Sequence, residues 1–113
     1  MASAPIISQE ILASAKDLTG LIGYQSGSVV SKTLLDRSIG TITLFSFDQG
    51  QGLSEHTAPF EATVQVLDGK AEITIAGVPH VVSAGQIIIM PAQQPHARRA
   101  LTPFKMLLTM IRA

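Results

Sequence analysis

The chain has 113 residues, of which 46% are hydrophobic and only 14% are charged. Its 8 basic and 8 acidic side chains cancel, which provides no electrostatic reason to expect a nucleic-acid or membrane partner. It contains no cysteine, which excludes disulfide bonds and thiolate chemistry and is typical of a reducing cytoplasm. Because so few charges can cover the exterior, we expect apolar surface to be shared with a second copy in a homodimer.

The sequence also lacks the patterns of targeting and membrane segments. No basic segment followed by a long apolar run stands at its N-terminus. Its longest apolar run, Ile87–Met90, is far too short to cross a bilayer. We therefore expect a cytoplasmic protein.

Residues 1–27 are predicted to form an extension with short helical turns, followed by a β domain over residues 28–113. Ser8 is a candidate N-cap for these turns. Apolar residues repeat at helical spacing after it, namely Ile11, Leu12, Ala15 and Leu18. Gly20 and Gly23 are predicted to end the helical turns.

From residue 28 the apolar pattern alternates with a period of two, which predicts short strands separated by Gly, Pro or Asp-Gly turns. The predicted strands cover residues 29–30, 32–35, 41–47, 53–57, 62–67, 71–75, 80–82, 86–90 and 104–111. Asp68-Gly69 predicts a hairpin between the strands on either side of it. The nearly continuous apolar run at 86–90 predicts a strand that is buried on both faces. This succession of short strands predicts an antiparallel sandwich or barrel.

Two segments carry more than a general β signal. They are GQGLSEHTAPFEATVQVLDGKAEITIAG at residues 50–77 and GQIIIMPAQQPHARRA at residues 85–100. Together they resemble the two motifs of the cupin superfamily, in particular the small single-domain conserved-barrel cupins. The first family motif has a glycine, a His-x-His pair, a glutamate and a closing glycine. The second has a glycine, a Pro-x-Gly turn, a histidine and an asparagine.

In the first motif the histidine that matches is His56, and the glycines that match are Gly50 and Gly69. Ala58 stands at the position of the second histidine, and Ala62 at that of the glutamate.

In the second motif, Gly85, Pro91 and His96 match, whereas Gln93 replaces the glycine and Ala100 replaces the asparagine. The resemblance implies an all-β, double-stranded β-helix (jelly-roll) cupin barrel preceded by the short helical segment. In many cupins the N-terminal strand crosses to the partner subunit, and residues 28–35 are where such an exchange would be expected.

The complete family motif supplies three histidines and a glutamate that hold a divalent metal inside the barrel. By resemblance, His56 and His96 both project into the barrel and are the candidate metal ligands here. Glu61, one residue short of the glutamate position, is a weaker third candidate. Imidazole ligands suit zinc, iron, nickel or copper, and the candidate metals for this site are zinc, iron, nickel and manganese. His80 follows a turn and is predicted at the surface.

Three functions remain open on the sequence alone. The favoured one is a small-molecule-binding cupin with a central pocket. Its predicted lining is His56, Ala58, Phe60, Ala62, Val64, Met90, Gln94, His96 and Met106. The second is a metal-dependent enzyme, such as a dioxygenase or isomerase, that uses His56 and His96 as ligands. The third is a structural dimerisation module with a filled barrel. The sequence does not decide whether the protein is an enzyme.

Overall fold

The structure is a computed structural model that describes residues 5–112. Residue 113 of the predicted barrel and residues 1–4 of the predicted extension lie outside this range. Within it the chain forms ten strands and one 3₁₀ turn, Leu18–Leu21. The strands are β1 (Ile6–Ile7), β2 (Val29–Arg37), β3 (Gly40–Phe47), β4 (Gly52–His56), β5 (Ala62–Asp68), β6 (Lys70–Ile75), β7 (Val78–Ser83), β8 (Ile87–Met90), β9 (His96–Ala100) and β10 (Phe104–Ile111). No helix among these residues has the length and apolar character needed to span a bilayer.

The strands form two antiparallel sheets. The first has the order β1-β2-β3-β10-β5-β8, and the second has the order β4-β9-β6-β7. β10 thus lies between β3 and β5, and β9 lies between β4 and β6, so strands distant in sequence become neighbours. The predicted all-β jelly-roll fold is confirmed, and it places the end of β4 beside the start of β9.

The core lies between the two sheets and follows from the alternation of side chains along each strand. On β5, Val64 and Val66 are fully buried, whereas Gln65 between them is exposed. The rings of Phe47 on β3 and Phe104 on β10 stack with centroids 4.4 Å apart. These apolar contacts fill much of the space between the sheets and hold the strands that carry the site.

The predicted helical turns at residues 8–18 are not formed. Ala13 has a φ of 54°, a left-handed conformation that interrupts a right-handed helix. The apolar residues of this segment instead cover the outer face of the first sheet. Ile11, Leu18, Leu21 and Ile22 pack there with Leu34 and Leu44. Burial against the sheet outweighs the weak helical preference of so short a segment.

The hairpin predicted at Asp68-Gly69 is also wrong. β5 belongs to the first sheet and β6 to the second, so the turn carries the chain across the barrel instead of pairing the two strands. Gly69 has a φ of 75°. A Cβ at this position would overlap the carbonyl oxygen of Pro103. Glycine is therefore required here for two reasons, a positive φ and the close approach of another backbone segment. A hairpin turn would require only the first of them.

The prediction that residues 86–90 are buried on both faces is wrong as well. β8 is an edge strand that pairs with β5 alone among the described strands, and its Ile87 and Ile89 are 59% and 60% exposed. Because apolar residues occupy both faces of β8, the sequence does not reveal which of them are exposed. β9 was not predicted, because its sequence HARRA is polar and lies between two prolines.

Candidate functional site

The two histidines of the cupin-like motifs meet at one end of the barrel. His56 ends β4 and His96 begins β9, and the two residues face each other across this strand pair. Their Nε2 atoms are 3.1 Å apart, and the ring planes cross at 71°. This is hydrogen-bond distance between two ring nitrogens, so one Nε2–H donates to the other Nε2.

The two rings differ sharply in their surroundings. His96 is only 3% exposed, and its Nδ1 has no hydrogen-bond partner among the described residues. His56 is exposed, and its Nδ1 lies 3.4 Å from the Ser54 carbonyl oxygen. The pair therefore connects a buried imidazole to solvent through a single hydrogen bond.

The electrostatics of the site favour an uncharged His96. Burial lowers the pKa of this imidazole most, and the positive charges of Arg98 and His56 lower it further. The nearby backbone of Gln94 raises this pKa, but it does not reach hydrogen-bond geometry with Nδ1. At neutral pH, His96 is thus an imidazole with one N–H donor and one acceptor nitrogen.

A buried arginine, which the sequence reasoning missed, lies beside this pair. Arg98 follows His96 by two residues on β9, points to the same interior face and is 5% exposed. Its Nη2 reaches Sδ of Met90 on the opposite sheet at 3.9 Å. Its Nε has no partner within residues 5–112. Burial lowers the pKa of Arg98 to about 10, so the guanidinium remains charged at neutral pH.

The signal for Arg98 was present in the sequence. Adjacent arginines on a strand point to opposite faces, and Arg99 does point outward, where its Nη2 lies 3.6 Å from Glu72. With His96 assigned to the interior, the same alternation places Arg98 inside. The missing step was the recognition of residues 96–100 as a strand.

The other predicted lining residues divide into two groups. The fully or nearly fully buried ones are Ala62, Val64, Met90 and Met106, and all belong to the main core cluster. Ala58 and Phe60 are half-buried in the link between β4 and β5, and Gln94 is exposed. Of the four buried residues, Met90 contacts Arg98, and Ala62 is the register partner of Met90 on β5.

The residues present do not fit the metal centre that the complete family motif would supply. Glu61 is exposed, and no group of three His, Cys, Asp or Glu side chains within residues 5–112 could hold an ion. Catalytic zinc sites in proteins normally have three protein ligands. In addition, the guanidinium of Arg98 places a positive charge beside the two imidazoles, where it would oppose a divalent cation.

Two surface cavities lie elsewhere. One, of about 430 Å³, lies between β7 and β8 and is lined by residues that include the exposed His80. The other, of about 290 Å³, lies at the turn between β2 and β3 and the last residues of β10, and its lining includes Ile39 and Ile111. Neither includes His56 or His96 in its lining.

A family model and several solved structures match this chain. The Cupin_2 model, described as a cupin domain, matches residues 43–111. A conserved protein of unknown function from Streptococcus pyogenes is 39% identical, covers 95% of this chain and 94% of that chain, and has a TM-score of 0.90. A search of the curated proteins found no significant match.

Two further solved structures are similar. A cupin 2 conserved barrel domain protein from Leptotrichia buccalis is 38% identical over 87% of this chain and 48% of that chain, with a TM-score of 0.84. A cupin superfamily protein from Desulfitobacterium hafniense is 27% identical over 95% of both chains, with a TM-score of 0.86. Since the family model spans more than half of the sequence and its motifs coincide with the observed barrel, this chain belongs to the cupin domain family.

Proposed function

We propose that this cupin binds a small molecule inside the barrel, at the end where His56 and His96 meet. The observation that carries the proposal is the hydrogen-bonded imidazole pair, with one ring buried and the other exposed. A pair of this kind offers a polar anchor within an apolar enclosure. Ligand sites in proteins combine predominantly apolar walls with a small number of placed polar groups.

The unsatisfied nitrogen of His96 supports this proposal. A buried ring nitrogen without a partner is costly, and most buried polar groups in proteins are hydrogen-bonded to protein or to water. His96 Nδ1 has no such partner among the described residues. A ligand with a hydrogen-bonding atom at this position would satisfy it.

The pair also equips the site to move a proton. His96 exchanges the shared hydrogen with His56 through Nε2, and His56 contacts solvent. Histidine changes its charge near neutral pH, which makes it the most common proton donor and acceptor in protein sites. A proton released or taken up by a bound ligand would thus reach solvent without opening the barrel.

Thermal-shift screening of a metabolite library tests the proposal. Compounds of negative, neutral and positive charge are tested at about 1 mM against the wild type, H56A and H96Q, since a ligand that binds only the native state raises Tm by an amount that grows with the ratio of its concentration to its Kd. H80A is the matched control, because His80 is an exposed histidine on β7, remote in sequence from both motif histidines.

We expect at least one class of compounds to raise the Tm of the wild type and of H80A, and to lose this effect in H56A and H96Q. If no compound of any charge stabilises the wild type, the barrel is a filled structural module and the proposal is wrong. The same conclusion follows if the stabilising compounds act equally on H96Q.

A further inference from the structure

We infer that the ligand of this site is a small monocarboxylate, with Arg98 as its counterion. This inference rests on the proposed function, because it names the chemical class that the same site selects. The observation that carries it is Arg98, a residue only 5% exposed whose side chain points between the sheets and has no acidic partner in the described chain.

The ion pairs of the described residues leave Arg98 alone. They join Lys32 to Glu10, Arg99 to Glu72 and Arg112 to Asp36. Buried charges in proteins are almost always paired, because removal of an unpaired ion from water costs several kcal/mol. An unpaired guanidinium in a barrel interior therefore indicates that its partner arrives from outside the chain.

The immediate neighbours of Arg98 cannot replace an anion. Sδ of Met90, 3.9 Å from Nη2, is a weak and uncharged acceptor. An imidazole is either neutral or positively charged, so neither His96 nor His56 can neutralise Arg98. Ala62, the register partner of Met90, stands where the complete motif has a glutamate, so this position supplies no carboxylate.

The adjacent arginine provides the comparison within the same strand. Arg99 is exposed and reaches an acidic side chain on the neighbouring strand β6. Its ion pair is thus an ordinary surface salt bridge, which contributes little to the stability of the fold. Arg98 differs in burial, in direction and in the absence of a carboxylate within ion-pairing distance in residues 5–112.

The chemistry of Arg98, His96 and His56 indicates a carboxylate ligand. A guanidinium presents a planar fork of N–H donors that matches the two oxygens of a carboxylate, and Nε of Arg98 is unsatisfied. One fixed positive charge beside a neutral His96 is balanced by a single negative charge, whereas a phosphate dianion would leave an excess buried charge. The apolar core residues around Met90, which contacts Arg98, suit the hydrocarbon part of a small acid.

Matched acid and amide pairs test the inference. Acetate, propanoate, butanoate and benzoate are compared with acetamide, propanamide, butanamide and benzamide, in a chloride buffer free of other organic anions. Thermal shift and titration calorimetry are measured on the wild type, R98M and R98K, with R99M as the control. Methyl phosphate is included as the dianionic competitor.

We expect at least one carboxylate to raise the wild-type Tm by about 5 °C at ten times its Kd, and its amide to have no effect. R98M should lose carboxylate binding at least about tenfold, and R99M should keep it, because only Arg98 faces the interior. R98K keeps the charge but not the fork, so it should bind the same acid more weakly. This second variant keeps the inference testable if R98M does not fold.

Three outcomes would overturn the inference. They are equal binding of acid and amide, unchanged carboxylate binding in both R98M and R98K, and tighter binding of methyl phosphate than of every carboxylate. If neutral or cationic library compounds bind while no carboxylate does, the ligand class is wrong and the binding function stands. If no compound of any charge binds, both are wrong.

Discussion

Replacement of Arg98 by methionine is expected to stabilise the ligand-free protein. Arg98 is 5% exposed, and burial lowers the pKa of its guanidinium from its ordinary value to about 10. At about 1.4 kcal/mol per pKa unit, this shift corresponds to about 3 kcal/mol by which the fold disfavours the charged form. Methionine is unbranched and flexible, so it can occupy the space beside Met90 without introducing a charge.

We therefore expect R98M to raise the free energy of unfolding by about 2–3 kcal/mol at neutral pH, and Tm by about 10 °C. Urea unfolding followed by circular dichroism measures the change. R99M should stay within about 0.5 kcal/mol of the wild type, because Arg99 is exposed. If R98M instead lost about 1 kcal/mol or more, the guanidinium would be stabilising the fold through its own contacts, and Arg98 would not be an uncompensated buried charge.

Three further outcomes are expected from the same unfolding assay. G69A should lower the free energy of unfolding by at least about 2 kcal/mol more than G27A does. Both glycines have a positive φ, but only Gly69 is closely packed against another backbone segment, and equal decreases would contradict this prediction. Q93G should raise the free energy of unfolding by up to about 1 kcal/mol, because Gln93 has a φ of 65° at a position where the family motif has glycine. The control A92G should lower the free energy of unfolding by about the same amount, and a decrease in Q93G would contradict the prediction. The free energy of unfolding should be highest above about pH 6.5 and should decrease below that pH by up to about 1.4 kcal/mol per pH unit. The reason is that the pKa of His96 is lower in the folded state, so the unfolded state binds the proton more readily as the pH falls. H96Q should flatten this slope, and an unchanged slope would show that another group is responsible.

Most of the fold was predictable from alternation and turn chemistry. Eight of the strands in residues 28–112 overlap predicted strands, most of them in segments where apolar residues recur with a period of two. The errors occur where local sequence has no information about the partner strand. Asp68-Gly69 is compatible with a hairpin and with a crossing between sheets, and only the close approach of Pro103 decides between them. Ile87 and Ile89 are equally apolar on an edge strand and in a core.

The site was predictable in part. The cupin-like motifs identified the two histidines, and the register between β4 and β9 explains why residues 40 positions apart meet. Arg98 was missed because a charged residue between prolines is typical of a loop, and its burial depends on a strand assignment that composition does not favour. The expected homodimer and the exchange of residues 28–35 with a partner stay predictions.

The direct test of the central claim is whether a carboxylate enters the barrel beside Arg98. Isotope-filtered NMR on ¹³C-labelled protein with unlabelled propanoate detects protons of the ligand close to protons of the protein. We expect Overhauser contacts from propanoate to the Met90 methyl group and to the ring of His96, and their loss in R98M. Contacts confined to Val81 and Ile87, which line the surface cavity between β7 and β8, would contradict an anion site inside the barrel.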